Sequence, residues 1–328
     1  MNLYKTYCYG QVEVPEEERF LRLKRELFDT IKLPVMWQTP DTAGLQAVTF
    51  PKLFKAPASD SLHLIVMVNG LYGCSTDLRL FRTFLELSQP CANLRFLMSR
   101  VNEREETFND FDTLGMRLAS EVADHVRVHS RKPSRISFVG FSMGNIIVRA
   151  ALMKTELQPL HRYLHTFLSL SGPHMGTVYN TSMIINLGMW YLRRYDNTDS
   201  IKQMALKDSD NIRNTFLYRL SQDRGLTKFK NVLLLGSAED YIVPLHSAHV
   251  KLTKAIVKDN TPMGAAYREM SRNILKPLLE KQGTTVIRYL VHLPFKSSIL
   301  SSNIHTAPLD NEILVQKLVF IACVKHLI

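Results

Sequence analysis

The sequence predicts an α/β fold: an open, mostly parallel central sheet with helices on both faces and a helical insertion after the fourth recognisable strand. Three observations carry the prediction. Apolar runs recur at Leu62–Val68, Leu94–Met98, Ile136–Val139, Leu164–Leu170, Val232–Leu235 and Val286–Val291. They are continuous rather than alternating, as strands buried on both faces require. Stretches of helical spacing separate them, and 328 residues with 45% hydrophobic content suffice for one large sheet and its core.

Residues 1–60 read as an N-terminal extension, helical and then irregular. Glu16–Ile31 carries Phe20, Leu21, Leu23, Leu27, Phe28 and Ile31 on and around one helical face. The proline-rich stretch from Pro34 to Pro57 then breaks regular structure. Residues 61–328 form the sheet domain. Its helices are expected at Asp77–Leu87, Asp110–Val128 and Ile146–Met153, then within Ile184–Leu220 and Leu245–Leu279, and last at Asn311–Leu327. The insertion spans 178–225. Within it Met183, Ile184, Ile185, Leu187 and Met189–Leu192 are apolar on every side, with Arg193 and Arg194 following. A helix of that kind is either packed in the core or lies as a lid over a greasy pocket.

Composition removes several classes of function. Cys8, Cys74, Cys91 and Cys323 have the spacing of neither a disulfide framework nor a zinc site. The opening MNLYKTYCYG lacks the apolar core of a secretory leader, and LVFIACV near the end is far shorter than a membrane span. Cytoplasm is the expected compartment. The net charge of +11, with clusters at Arg22–Arg25, Arg131–Arg135, Arg193–Arg194 and Lys251–Lys258, favours anionic partners. No nucleic-acid motif accompanies that charge, so the partner expected is an anionic membrane touched peripherally, or none, and nucleic acid is not expected.

In an open parallel sheet, sites form beyond the carboxyl ends of the strands. After Ile136–Val139 stands Gly140-Phe141-Ser142-Met143-Gly144, with a helical stretch following. This is G-x-S-x-G between a strand and a helix, where the small flanking residues let the two approach and the turn lifts the serine clear. A chance match to the bare pentapeptide arises in roughly one chain in ten of this length, so the setting is what gives it meaning. A serine nucleophile needs a base, and the base needs an orienting acid, in the order Ser, Asp or Glu, His.

Asp240 in GSAEDYIVP follows the fifth run, with Glu239 in reserve, and His305 lies in the loop after the last run. Of the eleven histidines, His292 is expected to be packed or solvated at a strand end, His246 and His249 to face the surface, and His174 to brace its loop. The backbone N–H groups of Met143 and Leu71 are the expected oxyanion donors, with Asn69, Gly70 and Gly73 shaping the loop LIVMVNGLYG. A nucleotide cradle there is disfavoured: the third glycine is missing and no acidic residue closes the second run.

The stretches LIVMVNGLYGCSTDLRLFRTFLEL, ISFVGFSMGNIIVRA, LHTFLSLSGPHMGT, NTFLYRL, FKNVLLLGSAEDYIVPLHSA and IHTAPLD resemble the lipase-like serine esterase branch of the α/β-hydrolases. More closely, they resemble the C-terminal domain of the "family with sequence similarity 135" proteins, from about residue 61 onward. The resemblance implies an α/β-hydrolase fold and a triad of Ser142, Asp240 and His305, with no cofactor and no metal. This chain has Asn69-Gly70 where the family pattern has His-Gly, and GFSMG where it has GHSLG. The function expected is hydrolysis of carboxylic, lipid-type esters through an acyl-enzyme. The alternative is a catalytically silent hydrolase-fold module that binds lipid or a protein partner.

Overall fold

The computed structural model describes Arg22, Glu26 and residues 35–40, 61–89, 92–179, 198–293 and 302–327. Seven strands form one sheet: β1 (Val35–Pro40), β2 (His63–Val68), β3 (Leu94–Met98), β4 (Arg135–Phe141), β5 (Leu164–Leu170), β6 (Asn231–Ser237) and β7 (Thr285–His292). Their order is β1-β7-β6-β5-β4-β2-β3. All six expected runs are strands, and they pair in parallel. The chain order reverses between β2 and β4, which opens a crevice at the carboxyl end of β4.

The inner strands β2, β4, β5 and β6 bury both faces, as their unbroken apolar runs require, while the edge strand β3 is half-buried. Leu64, Val66 and Val68 of β2 face one layer, while Ile65 and Met67 face the other. The first layer holds α2 (Phe111–Val128), α3 (Gly144–Leu152) and α8 (Pro262–Glu280). The second holds α1 (Arg79–Ser88) and the C-terminal helices α10 (Glu312–Lys317) and α11 (Val324–Leu327), joined by a π-helical segment, Leu318–Cys323. Caps mark the starts: Asp110 accepts from the Thr113 amide at 3.0 Å, and Thr261 accepts from Gly264 at 3.3 Å ahead of Pro262.

The structure departs from the expected boundary at residue 60. Val35–Pro40 is not irregular; it pairs antiparallel with β7 from Val35↔His292 to Pro40↔Ile287. Proline is tolerated at a sheet edge because the missing N–H faces away from the ladder. Of the helix expected at 16–31, Arg22 and Glu26 are described, both helical and 3.9 Å apart in an ion pair.

The apolar run at 183–194 lies outside the described residues. In the described remainder of the insertion, α4 (Asp199–Met204) and α5 (Phe216–Ser221) pack on the first layer, with Phe216 and Leu217 inside it. Between β6 and α8 lie two short helices, α6 (Leu245–Ala248) and α7 (Lys254–Lys258). After β7 comes α9 (Ser302–Asp310). Among the described residues no helix is long and apolar enough to cross a membrane.

Candidate active site

Ser142 stands directly beyond β4 in the left-handed region, φ 50°, a backbone state that costs a non-glycine residue energy. Its neighbours hold it there. The Ser142 amide donates to Leu170 O at 2.8 Å, and the buried Asn145 side chain donates to Ser142 O at 3.0 Å and Leu170 O at 3.3 Å. Both flanking glycines are steric necessities. A Cβ on Gly144 would lie 2.5 Å from the carbonyl oxygens of Val68 and Asn69, and one on Gly140 would lie 2.5 Å from Asn145 Oδ1. The close approach at Gly144 is therefore to the end of β2, which brings the loop after β2 beside the serine.

His305 faces Ser142 from α9, a helix where a loop was expected. Its Nε2 is 2.9 Å from Ser142 Oγ and its Nδ1 is 2.8 Å from Asp240 Oδ2. Phe141 packs against the imidazole with ring centres 5.0 Å apart. Asp240 fills its second oxygen with two amides, Ile242 N at 2.9 Å and Val243 N at 3.0 Å. A carboxylate so engaged is an acceptor, so Nδ1 of His305 carries the proton and Nε2 is left to accept from the serine hydroxyl. All three side chains are buried, with 5–8% of each residue exposed. The structure thus brings together Ser142 and Asp240, from beyond β4 and β6, and His305, from α9.

The reserve acid goes elsewhere. Glu239 Oε1 is 2.6 Å from His292 Nδ1, and its Oε2 accepts from Ser237 Oγ at 2.5 Å. This pair ties the Asp240 loop to the end of β7. No sequence spacing signals it, since the partners lie 53 residues apart.

The loop after β2 forms a turn in which Gly73 N donates to Gly70 O at 3.1 Å. Its left-handed residue is Tyr72, φ 54°, rather than either glycine. Asn69 Nδ2 donates to Gly70 O at 3.1 Å and to Asn102 O at 3.0 Å, while Tyr72 N donates to Thr107 Oγ1 at 2.9 Å. Gly70 C=O and Leu71 N–H belong to one planar trans peptide and point in opposite directions. Two donors on Gly70 O therefore fix the direction of the Leu71 amide. Among the described residues neither Leu71 N nor Met143 N donates to a protein acceptor. Asn102 and Thr107 escaped the sequence reading because they act across some 33–35 residues.

His174, His246 and His249 pack into the fold away from the Ser142 Oγ–His305 contact. His174 Nε2 meets Ser169 Oγ at 2.9 Å, and its carbonyl accepts from the buried Arg149 at 3.0 Å. Burial, and then the Arg149 charge, push its pKa well below the usual histidine value. His246 and His249 are 8% and 3% exposed, not surface groups as expected. The short α6 turns back onto β6, and His249 Nε2 reaches Tyr289 O at 3.2 Å.

Among the described residues no three His, Cys, Asp or Glu side chains gather as a metal-binding group. A groove of about 660 Å³ lined by Leu97, Met116, Val128 and His129 contains none of the residues above.

Solved structures of similar shape include lipase B of Aspergillus fumigatus (15% identity, 81% of this chain and 63% of that one, TM-score 0.43). Others are carboxyl esterase 2 of Tuber melanosporum (13%, 82% and 80%, 0.45) and a lipase-esterase related protein of Clostridium acetobutylicum (14%, 86% and 97%, 0.42). The chain spans less than two thirds of the Aspergillus lipase, and at these scores nothing passes from these proteins to it. The sequence itself matches a family model, Putative serine esterase (DUF676), over residues 58–253. That span runs from β2 through the Ser142 turn and the Asp240 loop and stops short of His305. It is more than half of the chain, which therefore belongs to the Putative serine esterase (DUF676) family.

Proposed function

We propose that this α/β-hydrolase cleaves carboxylic esters, with lipid esters as the substrate class, through Ser142, His305 and Asp240 and a covalent acyl-enzyme. The observation behind the reading is His305, whose two ring nitrogens lie 2.9 Å from Ser142 Oγ and 2.8 Å from Asp240 Oδ2. As Ser142 Oγ bonds to the ester carbonyl carbon, His305 Nε2 takes its proton. The carbonyl electron pair moves onto oxygen, and the amides of Leu71 and Met143 stabilise that oxyanion by roughly 3–4 kcal/mol each. Collapse breaks the C–O bond, His305 returns the proton to the leaving alcohol, and the acyl group stays on Ser142. Water then repeats the sequence with His305 as base, releasing the acid and free serine. Asp240 holds the imidazole in the required tautomer throughout.

The lipid assignment rests on the apolar sequence Met183–Leu192 inserted ahead of the Asp240 loop. A cytoplasmic location is part of the same reading, drawn from the spacing of Cys8, Cys74, Cys91 and Cys323. A fluorophosphonate probe tests the whole scheme: it should label the native protein and not Ser142→Ala. A folded native protein that resists the probe would make the chain a silent binding module instead.

A further inference from the structure

We propose that the segment Lys251–Lys258, sequence KLTKAIVK, is a docking surface for an anionic lipid membrane. It is a firm platform. Thr253 Oγ1 accepts from Ile256 N at 3.2 Å at the start of α7, and Arg268 Nη1 donates to Ile256 O at 2.9 Å and Asp259 O at 2.6 Å at its end. Ile256, fully buried, anchors the helix in the core. The opposite face is presented outward. Lys254, Val257 and Lys258 stand at i, i+3 and i+4, so they share one side of the helix. Val257 is 54% exposed, and Leu252, just before the helix, is 39% exposed. Among the described residues neither Lys254 nor Lys258 is part of an ion pair. The carboxylate at the helix end, Asp259, is occupied by the Tyr179 hydroxyl and by Thr261 N at 2.8 Å.

Charge complementarity selects an anionic partner, in keeping with the net charge of +11. The apolar pair selects lipid among anionic partners. Val257 and Leu252 gain by leaving water only where the partner has an apolar layer, and lysines flanking them can lay their stems along that layer while the ammonium groups meet headgroups. A nucleic-acid backbone offers the charge without the layer. The segment is also tied to the chain that leaves β5. It follows β6 and α6 in chain order, and Asp259 holds Tyr179, which lies in the stretch after β5. As a route to substrate the surface rests on the proposed lipid esterase; binding itself requires no turnover.

The test is sedimentation of the full chain with phosphatidylcholine vesicles, with and without phosphatidylserine. Binding is expected only with phosphatidylserine and should weaken as salt rises. Lys254→Gln with Lys258→Gln should lower the partition coefficient roughly 25-fold, about fivefold per lysine. Val257→Ser should lower it several-fold at unchanged charge. Both variants should keep the native melting temperature and hydrolyse a short soluble ester as the native protein does. Absence of binding by the native chain overturns the proposal, as does native-like binding by the lysine variant. Equal binding by Val257→Ser overturns it too, and points to an acidic macromolecule. Vesicle binding by a chain without esterase activity would sink the catalytic reading and leave this one standing.

Discussion

Acidification should destabilise this protein through histidines that take no part in the proposed chemistry. His63 is 4% exposed at the start of β2, at the opposite end of the sheet from Ser142, with Nε2 at 2.8 Å from Ser137 Oγ and Nδ1 without a partner. Burial first, then His165 and Arg135, lower its pKa to about 3. His249 is likewise lowered to about 3, by burial first and then by Lys251, with Arg288 adding to the effect. In the unfolded chain both return to the ordinary histidine value near 6.5. The unfolded state thus binds more protons between those values, and stability falls as pH drops through that window.

For a group moving from 6.5 to about 3, lowering the pH from about 7.5 to about 5 removes about 2 kcal/mol. The two histidines together remove about 4 kcal/mol, against a total that is typically about 5–15 kcal/mol. Urea titrations followed by circular dichroism at several pH values measure the slope. His63→Gln retains a polar side chain that does not titrate, so its stability should fall by about 2 kcal/mol less than the native protein's over the same interval. The interval from about pH 7.5 to about 5 lies above the ordinary carboxylate range, and native and variant share the same background of basic charge. Parallel stability curves for the two proteins would refute the reasoning.

Two further predictions concern the site. Asp240→Asn leaves the geometry in place but removes the acceptor that fixes the imidazole tautomer, so kcat should fall by about 10³–10⁴-fold in a soluble-ester assay; retention of near-native turnover would remove Asp240 from the triad. Asn69→Ala frees the Gly70 carbonyl from one donor and should lower kcat about tenfold with KM nearly unchanged, a fraction of the 10²–10³-fold lost when an oxyanion donor is deleted outright. Asn69→His should recover most of that loss, and an equal loss in both variants would show that the effect is not one of hydrogen-bond donation.

What the sequence makes legible is what depends on local pattern. Continuous apolar runs disclose the parallel strands because burial of the inner ones on both faces leaves no polar alternation. The elbow at Ser142 is legible because its glycines answer to sterics within the motif and to the adjoining β2. The edge strand β1 is not legible, because the prolines of this stretch read as breakers, and only an edge position makes Pro40 harmless. Pro308 conceals α9 in the same way, so His305 reads as a loop residue. Side-chain pairs such as Glu239 with His292 join segments far apart in sequence, and no periodicity encodes such a pairing.

Position 69 joins these two kinds of information. On sequence, asparagine there is a departure from the His-Gly pattern. In three dimensions the demand on that side chain is narrow: it must donate to Gly70 O, so that the opposite end of the same peptide plane presents the Leu71 amide. Asparagine meets the demand and adds a bond to Asn102 O across to the loop after β3, while its own Oδ1 is left unpartnered. Asn102 passes the restraint on by donating to Leu114 O in α2 at 2.9 Å. The loop is therefore braced against a long helix rather than held by its own turn alone. In the proposed mechanism the oxyanion donor is set by a chain of amide donors, and the property required at position 69 is an N–H in the right place, not an imidazole.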